Sequence, residues 1–305
     1  MLNPEIGIVI VNYNGRDNTL ACLRSLEKLQ ATSCRLQVFV VDNHSFDNSV
    51  QDIKKQFPKA TLIKNAENLG FVGGNNAGIK KAIKDGADYV LILNNDTLVS
   101  ENLIGELLKV AQKDEKVGIV VPKIFFAAGY EFHKKLYQKN DLGRVIWYAG
   151  GRTDWQNMFG VHLGVDEVDH GQFDQEKEVD FATGCCFLAK KEVFSKIGLF
   201  DSKFFLYGED LDLSIRALKA GFKIFYAPRA FLWHKNAGSS SSGSTLHDYY
   251  LSRNRLLLGW RYAPPRLKLA LLKFSGQRLF TGRKWEKRGI LDFYLNNFGK
   301  GSYES

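Results

Sequence analysis

Ile6-Gly7-Ile8-Val9-Ile10-Val11-Asn12-Tyr13-Asn14-Gly15 is the stretch that decides the fold. The run from Ile6 to Val11 is apolar without alternation, so it reads as a strand buried on both faces of a parallel sheet. Polar residues stop it at Asn12. Asp17 through Leu29 then carries Leu20, Leu23, Leu26 and Leu29 at helical spacing. The same alternation continues outward. Leu36–Val41 is a second buried strand that ends on Asp42-Asn43-His44-Ser45, and a helix over 47–57 closes at Pro58. Ala60–Ile63 is a short third strand. Gly70–Gly78, rich in Gly and Asn, leads into a helix through Ile83, and Tyr89–Leu93 is a fourth strand stopped by Asn94-Asn95-Asp96. Strand–helix alternation of this kind predicts an α/β fold with an open, mostly parallel central sheet flanked by helices.

After Val117–Val121 the pattern loosens, and residues 129–180 read as irregular strands and loops along one edge of the sheet. Order returns with Phe181–Ala189, helices over 190–197 and Glu209–Gly221, and a last strand at Phe222–Tyr226. Gly238–Ser244 reads as a Ser/Gly linker or loop. Beyond Tyr249 the character changes: from Arg253 to Arg288 there are eleven Lys/Arg against one acid, Glu286, interleaved with Leu, Trp, Phe and Tyr. The chain therefore divides into an α/β domain over 1–245 and a basic, aromatic helical extension over 246–305.

The 305 residues, 45% hydrophobic and 25% charged, suffice for a large core without disulfides or metal staples. The balance of 42 Lys+Arg against 33 Asp+Glu, 42 − 33 = +9, points to an anionic partner: nucleic acid, a membrane surface or a phosphorylated substrate. The four cysteines (Cys22, Cys34, Cys185, Cys186) read as reduced thiols, and no CxxC pair suggests zinc. The opening strand leaves no room for a signal peptide, and no uncharged run reaches the ~20 residues that span a bilayer. These features predict a cytoplasmic protein that can lie on the inner face of a membrane.

In an open parallel sheet the ligand sits beyond the carboxyl ends of the strands. Those ends carry Asn12-Tyr13-Asn14, Asp42-Asn43, Asn68-Leu69-Gly70 and Asn94-Asn95-Asp96. Neither G-x-G-x-x-G after the first strand nor G-x-x-x-x-G-K-[ST] anywhere is present, which removes the main support for dinucleotide and P-loop sites. Asp42 is placed to hold a ribose or accept a base N–H, and Tyr13 offers a face for base stacking. A lone carboxylate such as Asp96 suits Mg²⁺ or Mn²⁺, which complete their shells with phosphate and water.

Read in order, Val9–Asn14, Val41–Asp47, Glu67–Asn76 and Leu93–Asp96 resemble the family 2 inverting glycosyltransferases of the GT-A fold, most of all the rhamnosyltransferase-like branch. Thr183-Gly184, Tyr207-Gly208-Glu209-Asp210-Leu211-Asp212-Leu213 and Trp233-His234 continue the resemblance through about residue 260. It implies a nucleotide-sugar half over about 1–120 and an acceptor half over about 121–245. It implies donor contacts from Tyr13, Asn14, Asp42, Asn68, Gly70, Asn75, Asn95, Thr183, Gly184 and Arg253. Asp96 stands at the last carboxylate of the family's D-x-D motif. Asn94 replaces the Asp that many members carry, so cation binding would lean on the diphosphate. His234 matches a residue that completes the metal shell or touches the diphosphate. Asp210, with Glu209 beside it, matches the general base.

The implied reaction is a single displacement, in which an acceptor hydroxyl attacks the anomeric carbon as a UDP or dTDP leaving group departs. It needs a carboxylate to take the proton and a cation, Mn²⁺ or Mg²⁺, to neutralise the diphosphate. The implied acceptor is a saccharide or a polyprenyl-diphosphate-linked sugar. Plainer readings stay open: acidity at a helix start for Glu209 and Asp210, a packed imidazole for His234, and tight helix packing for Gly73-Gly74. Arg253 either reaches the diphosphate or belongs to a solvated basic helix. The basic tail suits an anionic membrane or a helix packed on the domain, and no nucleic-acid reader motif accompanies it. A sugar nucleotidyltransferase and a non-catalytic nucleotide-sugar-binding module are the rival functions.

Overall fold

The computed structural model describes residues 3–30, 34–235 and 244–303; most of the Ser/Gly segment, 236–243, lies outside them. The first half follows the expected order: β1 (Glu5–Asn12), α1 (Arg16–Leu26), β2 (Arg35–Asp42), α2 (Ser49–Gln56), β3 (Thr61–Lys64), α3 (Gly70–Lys84) and β4 (Tyr89–Leu93). β1 pairs in parallel with β2 and β4, and β2 with β3. The Gly/Asn-rich stretch does not precede its helix but is its first half. Gly74 and Gly78 let α3 lie directly on β1, because a Cβ there would stand 2.7 and 2.3 Å from Val11 and Val9 carbons. Close packing is therefore the role these glycines play.

β5 (Thr97–Val99), α4 (Leu103–Ala111) and β6 (Val117–Phe126) follow. The irregular stretch supplies β7 (Ile146–Tyr148), β8 (Gly151–Asp154), β9 (Phe159–His162) and β10 (Lys177–Val179), with β8 and β9 forming a separate hairpin. Then come β11 (Cys186–Lys190), α5 (Lys191–Ile197), α6 (Glu209–Lys219) and β12 (Lys223–His234). Within the ordered stretch 181–189 the strand β11 starts at Cys186. The one expected to end at Tyr226 runs on to His234, held in parallel by β6 and then in antiparallel by β5.

The sheet order is β10-β12-β6-β11-β4-β1-β2-β3. Within the sheet β10 at the edge is antiparallel to β12, and β11 is reversed, antiparallel to both β4 and β6. That reversal positions the site. β6 and β12 consequently run in the same direction as β4 and β1, so Asn12, Asp42, Asn94 and His234 all emerge on one edge. The start of β11, with Thr183 and Gly184 before it, reaches the same edge.

The extension forms α7 (Thr245–Tyr262), α8 (Pro265–Thr281) and α9 (Lys284–Tyr294). Its α7 is part of the α/β body: Leu256, Leu257 and Leu258 join the core, and the Asn254 amide donates to the carbonyls of Leu206 and Tyr207 at 2.9 and 2.8 Å. α9 is fixed on α7 by a hydrogen bond from the Tyr249 hydroxyl to Asp292. Among the described residues no helix is long and apolar enough to cross a membrane.

Candidate active site

At the carboxyl edge of β1 and β2 a polar chain links the predicted donor residues. Asn12 Nδ2 donates to Asp42 Oδ1 at 2.9 Å and to Ser45 Oγ at 3.0 Å, while the Thr19 hydroxyl donates to Asn12 Oδ1 at 2.7 Å. Asn95 Nδ2 closes the chain on the Thr19 hydroxyl at 2.9 Å. Asp42 is only 3% exposed, and its second oxygen accepts the Ser45 N–H at 3.0 Å. Asn14, with φ 48°, accepts the Phe46 N–H and its own N–H reaches Ser45 Oγ. Tyr13 projects beside this frame, 45% exposed. Asn68 caps the N–H of Gly70, whose carbonyl accepts from Asn43. Gly70 has φ 68°, and a Cβ would lie 2.5 Å from the Phe205 carbonyl, so only glycine fits.

The pairing of β12 with β5 sets His234 opposite Thr97, and there its Nε2 lies 3.1 Å from Asp96 Oδ1. His234 Nδ1 is buried and has no hydrogen-bond partner among the described residues. One carboxylate and one imidazole, side by side at the strand ends, fit Mn²⁺ or Mg²⁺ that takes its other ligands from phosphate and water. Among the described residues no cluster of three His, Cys, Asp or Glu side chains is placed to hold a metal alone.

α6 begins after Tyr207 and Gly208, both left-handed with φ 70° and 85°, and this turn delivers the acidic pair. Asp210 Oδ2 accepts the Gly184 N–H at 3.0 Å and Oδ1 the Leu211 N–H at 2.8 Å. One residue on, the Cys185 carbonyl accepts the N–H of Asn94 at 2.9 Å, so Asp210 is tied to the same strand end that carries Asp96. Thr183 is buried, its hydroxyl taken up by the Cys185 N–H. Burial holds the Asp210 carboxyl above the usual range despite its two N–H donors. Burial, and then Asp210 itself, push Glu209 well above it.

Asp210 lines a cavity of about 160 Å³ with Phe159 and His162 of the β8–β9 hairpin, Phe181, and Asn254 and Arg255 of α7. His162 is driven down to about 4 by burial and is therefore a neutral imidazole. Trp147 stands between the two halves of the site, its ring 4.4 Å from that of His162 and 4.6 Å from that of His234. Asp212 faces away and binds Arg216, Arg261 and Tyr262, a structural role.

Three predicted residues are not at the cleft. Arg253 is fully buried between the rings of Tyr249, Tyr250 and Phe298, where its guanidinium bonds the Asn254 side chain and backbone carbonyls; the helix turns it into the core. Asn75 is buried in α3 and bonds the Phe71 carbonyl. Glu209 is buried, does not line the Asp210 cavity, and leaves Oε2 without a partner among the described residues. Conversely Thr19, Ser45, Trp147, Phe159, His162 and Arg255 escaped the sequence reading. Thr19 sits seven residues after Asn12 with nothing to mark it, and the aromatic residues lie in strands too short to show alternation.

A sheet of this order with its polar edge defines the GT-A fold, and solved structures agree. GalNAc-T7 with UDP, GalNAc and Mn²⁺ superposes with a TM-score of 0.62 over 97% of this chain at 17% identity, the match spanning 57% of that longer chain. The description "Glycosyltransferase like family 2" matches residues 4–255, and the chain belongs to that family. It is 26% identical over 283 residues to the N-acetylglucosaminyl-diphospho-decaprenol L-rhamnosyltransferase of Mycobacterium tuberculosis, covering 88% of this chain and 90% of the relative. The dTDP-rhamnosyl transferase RfbF of Shigella flexneri is 24% identical over 285 residues, covering 90% and 86%. The protein is thus a glycosyltransferase of rhamnosyltransferase-like type.

Proposed function

We propose that this enzyme transfers rhamnose or another hexose, with inversion, from a dTDP- or UDP-sugar to a hydroxyl of a saccharide or polyprenyl-diphosphate-linked acceptor. The observation that carries the reading is Asp210. It faces a cavity, has a raised proton affinity, and is braced by Gly184 against the strand end that bears Asp96. Asp42 and Tyr13 hold the base, and Asp96 with His234 holds the cation. A divalent cation bound there supplies the positive charge that stabilises the departing diphosphate. Asp210 takes the hydroxyl proton as the acceptor oxygen bonds to the anomeric carbon and the bond to the diphosphate oxygen breaks. Neutral His162 and the aromatic walls exclude water from that step. The exposed basic and apolar side chains of α8 rest on an anionic membrane surface.

The test is nucleoside-diphosphate release from dTDP-rhamnose and UDP-sugars with Mn²⁺ and saccharide acceptors, with the anomeric configuration of the product read by NMR. Inverted product supports the reading. Donor binding without release, or a retained configuration, overturns it.

A further inference from the structure

The cavity in front of Asp210 adjoins a second of about 330 Å³, and Phe159, Leu251 and Arg255 belong to both. Together they form one groove walled by β9, α7 and α8. Its two ends differ in chemistry. In the second cavity the one carboxylate, Glu286, has both oxygens on Arg278, at 2.7 and 2.6 Å. The groove's other carboxylate, Asp210, and its one imidazole, His162, lie in the first.

His162 ends β9, and its Nδ1 stands 3.3 Å from the Trp147 carbonyl oxygen, its one hydrogen-bond partner among the described residues. A carbonyl offers only lone pairs, so Nδ1 carries the proton. Burial keeps the ring neutral, and Nε2 is then a bare acceptor. The ring is held in this orientation on three sides. It meets Trp147 and Tyr148 edge-on at 4.4 and 5.0 Å between centres and stacks on Phe181 at 5.9 Å.

Two neighbours in the cavity cannot serve as Nε2 does. Arg255 has no lone pair, and its Nε already donates to the Asn157 carbonyl at 2.8 Å. Asn254 is engaged at both ends of its amide, donating to the Leu206 and Tyr207 carbonyls and accepting from Arg253 Nε at 3.0 Å. Asp210 is reserved for the hydroxyl that reacts. A ligand that brings one hydroxyl to Asp210 therefore meets a second, uncharged acceptor in Nε2, with the rings of Phe159 and Phe181 for its C–H surface. A lone pair fixed in this way favours O–H and disfavours an ether oxygen or a carboxylate.

Resting on the transferase reading above, we propose that His162 determines acceptor specificity: its Nε2 accepts a hydrogen bond from a second hydroxyl of the sugar whose reacting hydroxyl gives its proton to Asp210. The acceptor sugar thus carries two free hydroxyls, and an analogue with the second one removed or capped is refused.

Transfer is measured with methyl pyranosides of gluco, galacto and manno configuration, and with the monodeoxy and deoxyfluoro analogues of the best of them. Fluorine can take the place of the hydroxyl but cannot donate. At one non-reacting position both analogues should lose roughly 10–100-fold in kcat/KM, the cost of a buried acceptor left unpaired. His162→Phe keeps a ring in place and should lose a similar factor on the parent glycoside, with less than about threefold further loss on those analogues. His162→Gln retains an acceptor oxygen and should restore part of the discrimination. In protein carrying nitrogen-15 histidine, the Nε2 resonance of His162, assigned by its loss in the Gln variant, should lie in the unprotonated range. It should shift with the parent glycoside and not with the deoxy one. Equal use of all analogues at every non-reacting position, full use of the deoxyfluoro compound, a proton on Nε2, or a resonance that no glycoside moves overturns the proposal. Melting curves identify a variant that fails to fold, and the analogue series and the resonance then decide on the wild type. Inverted product without these differences ends the His162 assignment alone. Absence of nucleoside-diphosphate release removes the transferase reading, and the resonance decides whether Nε2 meets a sugar hydroxyl.

Discussion

The donor edge and the acceptor groove are built on opposite principles. At the donor edge Asp42, Asn12, Thr19, Ser45 and Asn95 satisfy one another in a closed run of hydrogen bonds. In the groove, charges sit in a more apolar setting: Asp210 holds its proton more tightly than usual, and the Arg255 guanidinium lies between the rings of Phe159 and Phe274 and makes no ion pair among the described residues. A satisfied network fixes a shape and adds stability. An unsatisfied group costs stability and is retained where a ligand or a proton completes it. Substitutions at the edge should therefore cost stability, and substitutions in the groove should cost activity.

The largest effect tests the groove. Asp210→Asn should lower kcat by about 10²–10⁴-fold, the range for losing a general base, with donor affinity changed by less than about threefold. Comparable losses in kcat and donor binding would make Asp210 a binding group. For the wild type, kcat should fall on acidification as Asp210 gains its proton, with a midpoint above the ~3.9 of an ordinary Asp. At the edge, Asp96→Ala should weaken Mn²⁺-dependent donor binding by about 10–100-fold, read as the Mn²⁺ concentration for half-maximal release. An unchanged requirement would remove Asp96 from the cation site.

The polar network itself gives the next effect. Asn12→Ala removes a donor from Asp42 and an acceptor from Thr19 in a buried setting, an expected loss of about 1–3 kcal/mol in denaturant unfolding. No loss would mean that Asp42 is as well held by the Ser45 N–H alone.

The same contrast explains what could be read from the chain. The donor edge was legible because buried strands announce themselves as apolar runs, and parallel order puts their polar ends together. Asp42 and Asp96 needed only the ends of β2 and β4. His234 and Gly184 needed more, the reversal of β11 and the extension of β12 past Tyr226. Neither leaves a local pattern, and only the resemblance brought these residues in. The groove was illegible because its walls come from β9, α7 and α8, whose aromatic residues carry no periodic signal. Arg253 shows the limit of helical reasoning: two positions separate it from Arg255, which turns them to different faces, one into the core and one into the groove.

Glu209 offers a smaller effect with a definite sign. Its folded-state proton affinity is raised, so its contribution to stability is full at low pH and is lost as pH climbs through the folded value. Glu209→Gln keeps the neutral form at every pH. The Tm difference between variant and wild type should therefore grow as pH rises above the ~4.3 of an ordinary Glu, while the acid limb of kcat, which belongs to Asp210, stays in place. A constant difference would mean that Glu209 titrates as an ordinary carboxyl.

The smallest effect concerns the outer face of α8, where the groove ends. Arg266, Leu269, Lys273 and Phe280 fall along one exposed side of the helix, with Leu269 68% and Phe280 84% accessible. Phe274 and Arg278 turn toward the second cavity. One helix thus lines the second cavity on its inner side and presents basic and apolar side chains to solvent on its outer side. Basic residues at an anionic surface are worth about 1 kcal/mol each, roughly a fivefold change in binding. Lys273→Gln should lower co-flotation with anionic vesicles about fivefold without affecting zwitterionic ones, and Leu269→Asp with Phe280→Asp should lower it further at unchanged Tm, since both side chains are already in solvent. If flotation is unaltered in both variants, the outer face of α8 is a plain solvated surface.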